Sequence, residues 1–316
     1  MKRYEPVDLE KTITQSVSGR KTKVDLSSFA KPAGKRGASF REFFDSLPGF
    51  LAARSLRETV KSIKEANSTQ SPVILGIGAH VIKVGLSPLI IDLMKRGIIN
   101  CVAMNGAGAI HDFEIAATGR TSEDVGEGLE TGMFGMAEET MRDMNLAISC
   151  GDKQAGEKGM GRILGENIME SGAPFNDMSI LAAGALLDIP VTVHVALGTD
   201  TIHMSGHADP KAIGETSFND FRLLISVVCD LDGGVYLNVG SAVILPEVFM
   251  KAVNVARNLG SGIRNFTAVN MDMQQHYRPV QNVLCRTGAK AISLTGHHEI
   301  MIPLIYQALI DSDWEK

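Results

Sequence analysis

Six short runs place small and polar residues where a strand-like stretch gives way to a helix-like one. They are Gly76-Ile77-Gly78-Ala79-His80, Asn105-Gly106-Ala107-Gly108-Ala109-Ile110-His111-Asp112, Leu197-Gly198-Thr199-Asp200, Asn238-Val239-Gly240-Ser241-Ala242, Asn270-Met271-Asp272 and Thr295-Gly296-His297-His298-Glu299. Residues without bulk let a ligand approach the backbone, and the N–H groups that open a helix favour an anion such as a phosphate. Several such turns at corresponding places point to a nucleotide-sized ligand, whereas one alone would be an ordinary tight turn. His297 and His298 stand between a strand end and a helix start, where a neutral imidazole can act as a base; helix capping is the structural alternative. Glu247 follows Pro246 at a helix start, and Asp272 closes a strand. Two carboxylates there would suit a cationic amine or guanidinium, although an acid beside a first-turn proline is also an ordinary helix opening. His203 and His207 have the i, i+4 spacing of a metal pair on one helix face. Ser205-Gly206 between them disfavours a helix and no third ligand is fixed by spacing, so no metal site is expected.

These residues need a scaffold that brings strand ends together. Short apolar, β-branched runs at 72–77, 98–104, 190–196, 235–239, 266–270 and 291–294 read as strands. Helical patterns lie at 40–50, 52–66, 88–96, 126–145, 161–171, 179–187, 218–231, 246–259 and 300–312. Alternating strands and helices, with strands apolar throughout, predict an α/β fold: a Rossmann-like parallel sheet covered by helices on both faces. The working surface of such a sheet is the C-terminal ends of its strands.

Composition narrows the class. The chain has 316 residues, of which 44% are hydrophobic and 21% charged, which excludes a disordered polymer and permits a large core. No apolar run approaches the ~20 residues that cross a bilayer, and Met1-Lys2-Arg3 leads into polar residues rather than a signal peptide. Cys101, Cys150, Cys229 and Cys285 are widely spaced, so buried free thiols are expected in a cytoplasmic protein. Charge is uneven. Residues 1–36 carry nine Lys and Arg against four Asp and Glu, a local +5 that leaves −10 on the remainder. The division expected is a basic, helical N-terminal arm at 1–39 and a single nucleotide-binding α/β domain at 40–316. Few stacking aromatics accompany the basic stretch, so an arm packing on protein is preferred to a nucleic-acid patch.

The run from Gly78-Ala79-His80 to Ile90, then Cys101 to Asp112, Ile189-Pro190-Val191 to Asp200, Val235 to Val243 and Ile292 to Ile305, resembles deoxyhypusine synthases in the same order. The resemblance implies an NAD-binding Rossmann-like fold, a homotetramer with an arm reaching a neighbouring subunit, and transfer of an aminobutyl group from a polyamine. It places His80, Asn105, Gly106, Ala107, Gly108, Asp112, Asp200, Gly240, Ser241 and Ala242 beside NAD. It does not supply the chemistry. The family forms an imine on a lysine between the fifth and sixth strands, and here no lysine occurs between Lys251 and Lys290. Arg264, Arg278 and Arg286 remain protonated and cannot replace it. The expectation is therefore an NAD-dependent transferase acting on an amine-bearing small molecule, with His297, His298, Glu247 and Asp272 as catalytic candidates. The alternatives are a nucleotide-binding protein without catalysis and a hydrolase or lyase using His and carboxylate acid–base chemistry.

Overall fold

A computed structural model describes residues 3–34, 36–155 and 157–311. The chain divides into two compact units, Met1–Phe50 and Leu51–Lys316. Among its described residues the first holds three single 3₁₀ turns and α1 (Phe40–Ser46). Ser39 and Glu42 form a capping box on α1, and no residue of that helix is buried.

The second unit begins with α2 (Leu51–Ser68) and continues through β1 (Val73–Ile77), α3 (Ala79–Lys83), α4 (Ser87–Lys95), β2 (Cys101–Asn105), α5 (Gly106–Thr118), α6 (Val125–Thr131), α7 (Glu138–Ala155), α8 (Met160–Glu170), α9 (Ile180–Leu187) and β3 (Val191–His194). It ends with α10 (Pro210–Cys229), β4 (Val235–Val239), α11 (Ile244–Asn258), β5 (Thr267–Asp272), β6 (Lys290–Thr295) and α12 (His298–Ile310). All six strands are parallel in the order β3-β2-β1-β4-β5-β6. This is the order of a doubly wound dinucleotide-binding sheet, and its switch point lies between β1 and β4.

Both faces are covered. Alternate strand residues Ile74, Tyr236 and Ala268 pack with α10 and α11, where Tyr236 stacks on Phe249 at a ring separation of 3.5 Å. Leu75, Leu237 and Met271 point the other way, toward Ile63 of α2, Ile90 of α4 and Ile302 of α12. Burial on both sides explains why β1 reads as an unbroken apolar run and β4 is broken only by Asn238. β6 is the exception: as an edge strand it buries only Ile292 and Leu294.

Several elements depart from the sequence pattern. The stretch expected as one helix at 126–145 is two, because Gly132 caps α6 at φ 73° and Gly135 turns again at φ 72°. α10 starts at Pro210, eight residues before the pattern suggested, with Asp209 accepting from the Lys211 and Ala212 N–H groups. α3 and α5 lie in runs that read as loops. A π-helical segment, Pro279–Cys285, follows β5. Of the four thiols, Cys101 is buried, whereas Cys150 and Cys285 are exposed and Cys229 lies between. Cys150 sits on an amphipathic helix and Cys285 ends the π-helical turn, so neither occupies a strand. Ser312, the expected end of the last helix, lies outside the described residues. None of the helices among the described residues is long and apolar enough to cross a membrane.

Candidate functional site

The strand order gathers the polar runs along one edge of the sheet, on either side of the switch point. On the β2 and β3 side, α5 begins directly after β2. Asn105 is its N-cap, accepting from the Gly108 N–H at 2.9 Å. The carboxylate of Asp200, from the turn after β3, lies against Gly106 so closely that any side chain there would collide with it. Its side chain is 4% exposed. Burial pushes the Asp200 carboxyl above its ordinary range, against the pull of His203, the Thr199 hydroxyl and the Ala107 N–H. Its Oδ2 has no hydrogen-bond partner, and neither has Nε2 of His203, 3.9 Å away.

On the β4 to β6 side stands a second pair of the same kind. His298, the first residue of α12, is 1% exposed, and neither ring nitrogen has a partner. Its Nε2 lies 3.9 Å from Asp272 Oδ1, and that oxygen accepts from the Met273 N–H at 2.7 Å. Burial holds the His298 imidazole below its usual value, while the Asp272 charge opposes the shift. His80, half-buried at the start of α3, meets His298 edge-on with ring centres 5.6 Å apart. Gly240, at φ 68°, supplies the wall: a Cβ there would come within 2.7 Å of His298 Cε1. Gly78 packs directly on the Gly240 carbonyl, so β1 and β4 leave no room between these two turns.

A ladder of amides fixes the β4 to β6 ends. Asn238 Nδ2 donates to the Ser241 carbonyl (2.9 Å) and to Asn270 Oδ1 (2.7 Å). Asn270 Nδ2 donates to Gln275 Oε1, and Gln275 Nε2 donates to the Leu294 carbonyl. Ser241 faces this ladder and its hydroxyl accepts from the Leu245 N–H at 3.2 Å, while Ala242 is half-buried. The ladder was missed in the sequence, although its signal, an Asn near the end of two adjacent apolar strands, was present.

Other expected site residues are placed elsewhere. Asp112 is fully buried inside α5, and its carboxylate accepts from Ser179 Oγ (2.5 Å), Ile180 N–H (2.8 Å) and Leu181 N–H (3.1 Å). Six residues beyond the start of α5, it caps α9. Glu247 pairs with Lys251, Arg278 and Asn282 on the α11 side, so its charge is already matched. His297 is 61% exposed, 3.7 Å from Glu299, and projects outward where its neighbour projects inward. His203 and His207 do not share a helix face, since the turn holding His203 ends at Met204. His111 is tied up by Thr121 at 2.6 Å. Two groups of the chain itself stand at the start of α5: Asn105 Oδ1, which accepts from the Gly108 N–H, and the Asp200 carboxylate, which lies against Gly106.

No protein-family model matches the sequence. A protein named as a probable deoxyhypusine synthase from Thermoplasma acidophilum is 27% identical over 139 residues, which are 44% of this chain and 41% of that protein. Among solved structures, the ternary complex of AgrE with ornithine and NAD+ superposes with a TM-score of 0.55 at 12% identity, over 84% of this chain and 34% of that one. A protein from Entamoeba histolytica, provisionally assigned as a deoxyhypusine synthase, superposes with a TM-score of 0.55 at 11% identity, over 87% of this chain and 94% of that one. The chain thus spans well under half of the Thermoplasma protein and about a third of AgrE. The α/β fold is shared with these proteins, and the relationship to deoxyhypusine synthases is distant.

Proposed function

We propose that the chain is a deoxyhypusine-synthase-like, NAD-dependent enzyme that oxidises an amine-bearing small molecule and passes the product to an acceptor without an enzyme-bound lysine adduct. The observation that carries this reading is the pair of buried His–carboxylate couples flanking the switch point, where a dinucleotide lies across such sheets. Asp200 would hold a ribose hydroxyl. A nicotinamide on the β4 to β6 side would supply hydride acceptance at the carbon bearing the amine. His298, held neutral by burial, would take the proton leaving that nitrogen, and Asp272 would stabilise the imidazolium. The Gly240 wall and the amide ladder would keep the ring in place. The AgrE complex with ornithine and NAD+ supports an amine and NAD as the ligand classes for this fold. The absence of lysine between Lys251 and Lys290 separates the reaction from the one that the resemblance implies. A homotetramer belongs to the same reading and is measured by light scattering.

Calorimetry with NAD, followed by turnover assays with polyamines, agmatine and ornithine, tests the reading. Binding at micromolar strength, weakened at least tenfold by Asp200→Ala, is expected; no NAD binding overturns it. Binding without turnover would favour a ligand-holding protein, a reading that the complete burial of both His298 nitrogens also supports.

A further inference from the structure

We propose that His203 and Asp200 form a composite reader for a single ligand hydroxyl, and that His203 is the specificity-determining partner in it. The inference rests on the nucleotide reading above and adds to it a residue and a selection rule. His203 Nδ1 accepts the Gly198 N–H at 3.2 Å, so the ring carries its proton on Nε2. That Nε2–H has no acceptor, and the nearest candidate, Asp200 Oδ2, is 3.9 Å away with no donor of its own. The separation is too long for a hydrogen bond. Side chains 8% and 4% exposed thus hold one unused donor and one unused acceptor facing the same gap, beside the first turn of α5.

Leaving both unmatched is costly, because each buried group has given up its hydrogen bond to water without a replacement. A group that satisfies both must donate to one and accept from the other. An ammonium only donates and a carboxylate or phosphate only accepts, whereas a hydroxyl does both. Two hydrogen bonds of ~2.8 Å to one oxygen close across such a gap at roughly 90°, within reach of hydroxyl geometry. A phosphate ester at the same position loses the donated hydrogen and brings negative charge to a buried carboxylate. The reader therefore accepts a free ribose hydroxyl and refuses a deoxy or phosphorylated one. Both atoms are shielded from solvent, and His203 is anchored to the turn that contains Leu197, 67% exposed, and Gly198, at φ 87°. Entry of the hydroxyl requires this part of the chain to yield, and the Gly198 N–H that anchors His203 reports the movement.

The test is calorimetry of the full chain with NAD, NADP, ADP-ribose and NAD analogues lacking the adenosine or nicotinamide ribose hydroxyls one at a time. Hydrogen exchange at Gly198 is followed with and without NAD. One deoxy analogue is expected to bind at least tenfold more weakly than NAD, and slower Gly198 exchange is expected on binding NAD. His203→Leu, which keeps bulk and removes the donor, is expected to weaken NAD several-fold and to erase most of that discrimination. NAD bound tightly with every deoxy analogue equal to it overturns the reader and leaves the nucleotide reading standing; a bridging water then fills the gap. Discrimination unchanged in His203→Leu overturns the role of His203. If none of these ribosyl ligands binds the wild-type chain, the reader and the nucleotide reading fall together. Circular dichroism of His203→Leu and a milder His203→Gln variant separates misfolding from lost recognition.

Discussion

His298 Nε2 lies 3.9 Å from Asp272 Oδ1 across the ends of β5 and β6, and no hydrogen bond satisfies either nitrogen of that ring. A buried imidazole in this position is held neutral by desolvation and kept titratable by one facing carboxylate. Removing the carboxylate takes away the largest influence that opposes desolvation, leaving the weaker ones of the Met271 backbone and Glu299. Asp272→Asn is therefore expected to lower the His298 pKa further. Histidine NMR titration reads this directly, and the acid limb of any pH–rate profile moves to lower pH with it. An upward or absent shift would show that Asp272 does not sense the ring.

Gly240 combines a positive φ with a close approach to the same ring. Gly240→Ala is expected to lose about 1–2 kcal/mol in stability from backbone strain alone. It is also expected to displace His298, so turnover falls far more than stability does. Urea denaturation and kinetics on one preparation separate the two effects.

Asp112 accepts three hydrogen bonds at the start of α9 and is buried throughout. Asp112→Ala strands those donors, and a loss on the order of 3 kcal/mol follows, read as a lowered urea midpoint. NAD affinity of the folded variant is expected to stay within twofold of wild type. A selective loss of affinity would return Asp112 to the cofactor site.

Asp220 reaches from α10 to the start of α8, accepting from the Gly161 and Val193 N–H groups at 2.9 and 2.8 Å. Burial pushes its carboxyl up to about 7. Between the unfolded value near 4 and that folded value, the native state keeps a proton that the unfolded chain has released. Stability contributed by this group is therefore full below pH 4 and falls as pH rises to 7, by up to ~1.4 kcal/mol per pH unit. Asp220→Asn is expected to flatten that slope. Denaturation midpoints at pH 5 and pH 7 measure it, against a smaller background trend of the same sign from Asp112, pushed up to about 6.

The strands were legible because burial on both faces writes itself as mostly apolar runs, broken in β4 and β5 by Asn238 and Asn270, and the polar runs at their ends marked the working edge. α5 was not legible: Gly106-Ala107-Gly108 lacks the amphipathic stripe of a surface helix, and α5 buries residues around much of its girth. Its small residues were read as room for a ligand, yet the space beside Gly106 is filled by Asp200. Nothing local distinguishes a glycine that admits a ligand from one that admits the chain's own carboxylate. The partners of Asp112 and Glu247 were hidden for a related reason. An acid near a strand end or helix start has the same local sequence whether it faces a cleft, a neighbouring helix cap or an ion pair. The pairing of Asp200 with His203 needed the backbone donor of Gly198, which carries no side-chain signature at all.

Because Asp200 already stands at the positive end of α5, that helix terminus is neutralised before any ligand arrives. A molecule entering the β2 and β3 side gains matched hydrogen bonds there rather than relief of unbalanced charge. Its affinity is accordingly expected to change little between 50 mM and 500 mM salt, unlike that of an anion held on a bare helix end.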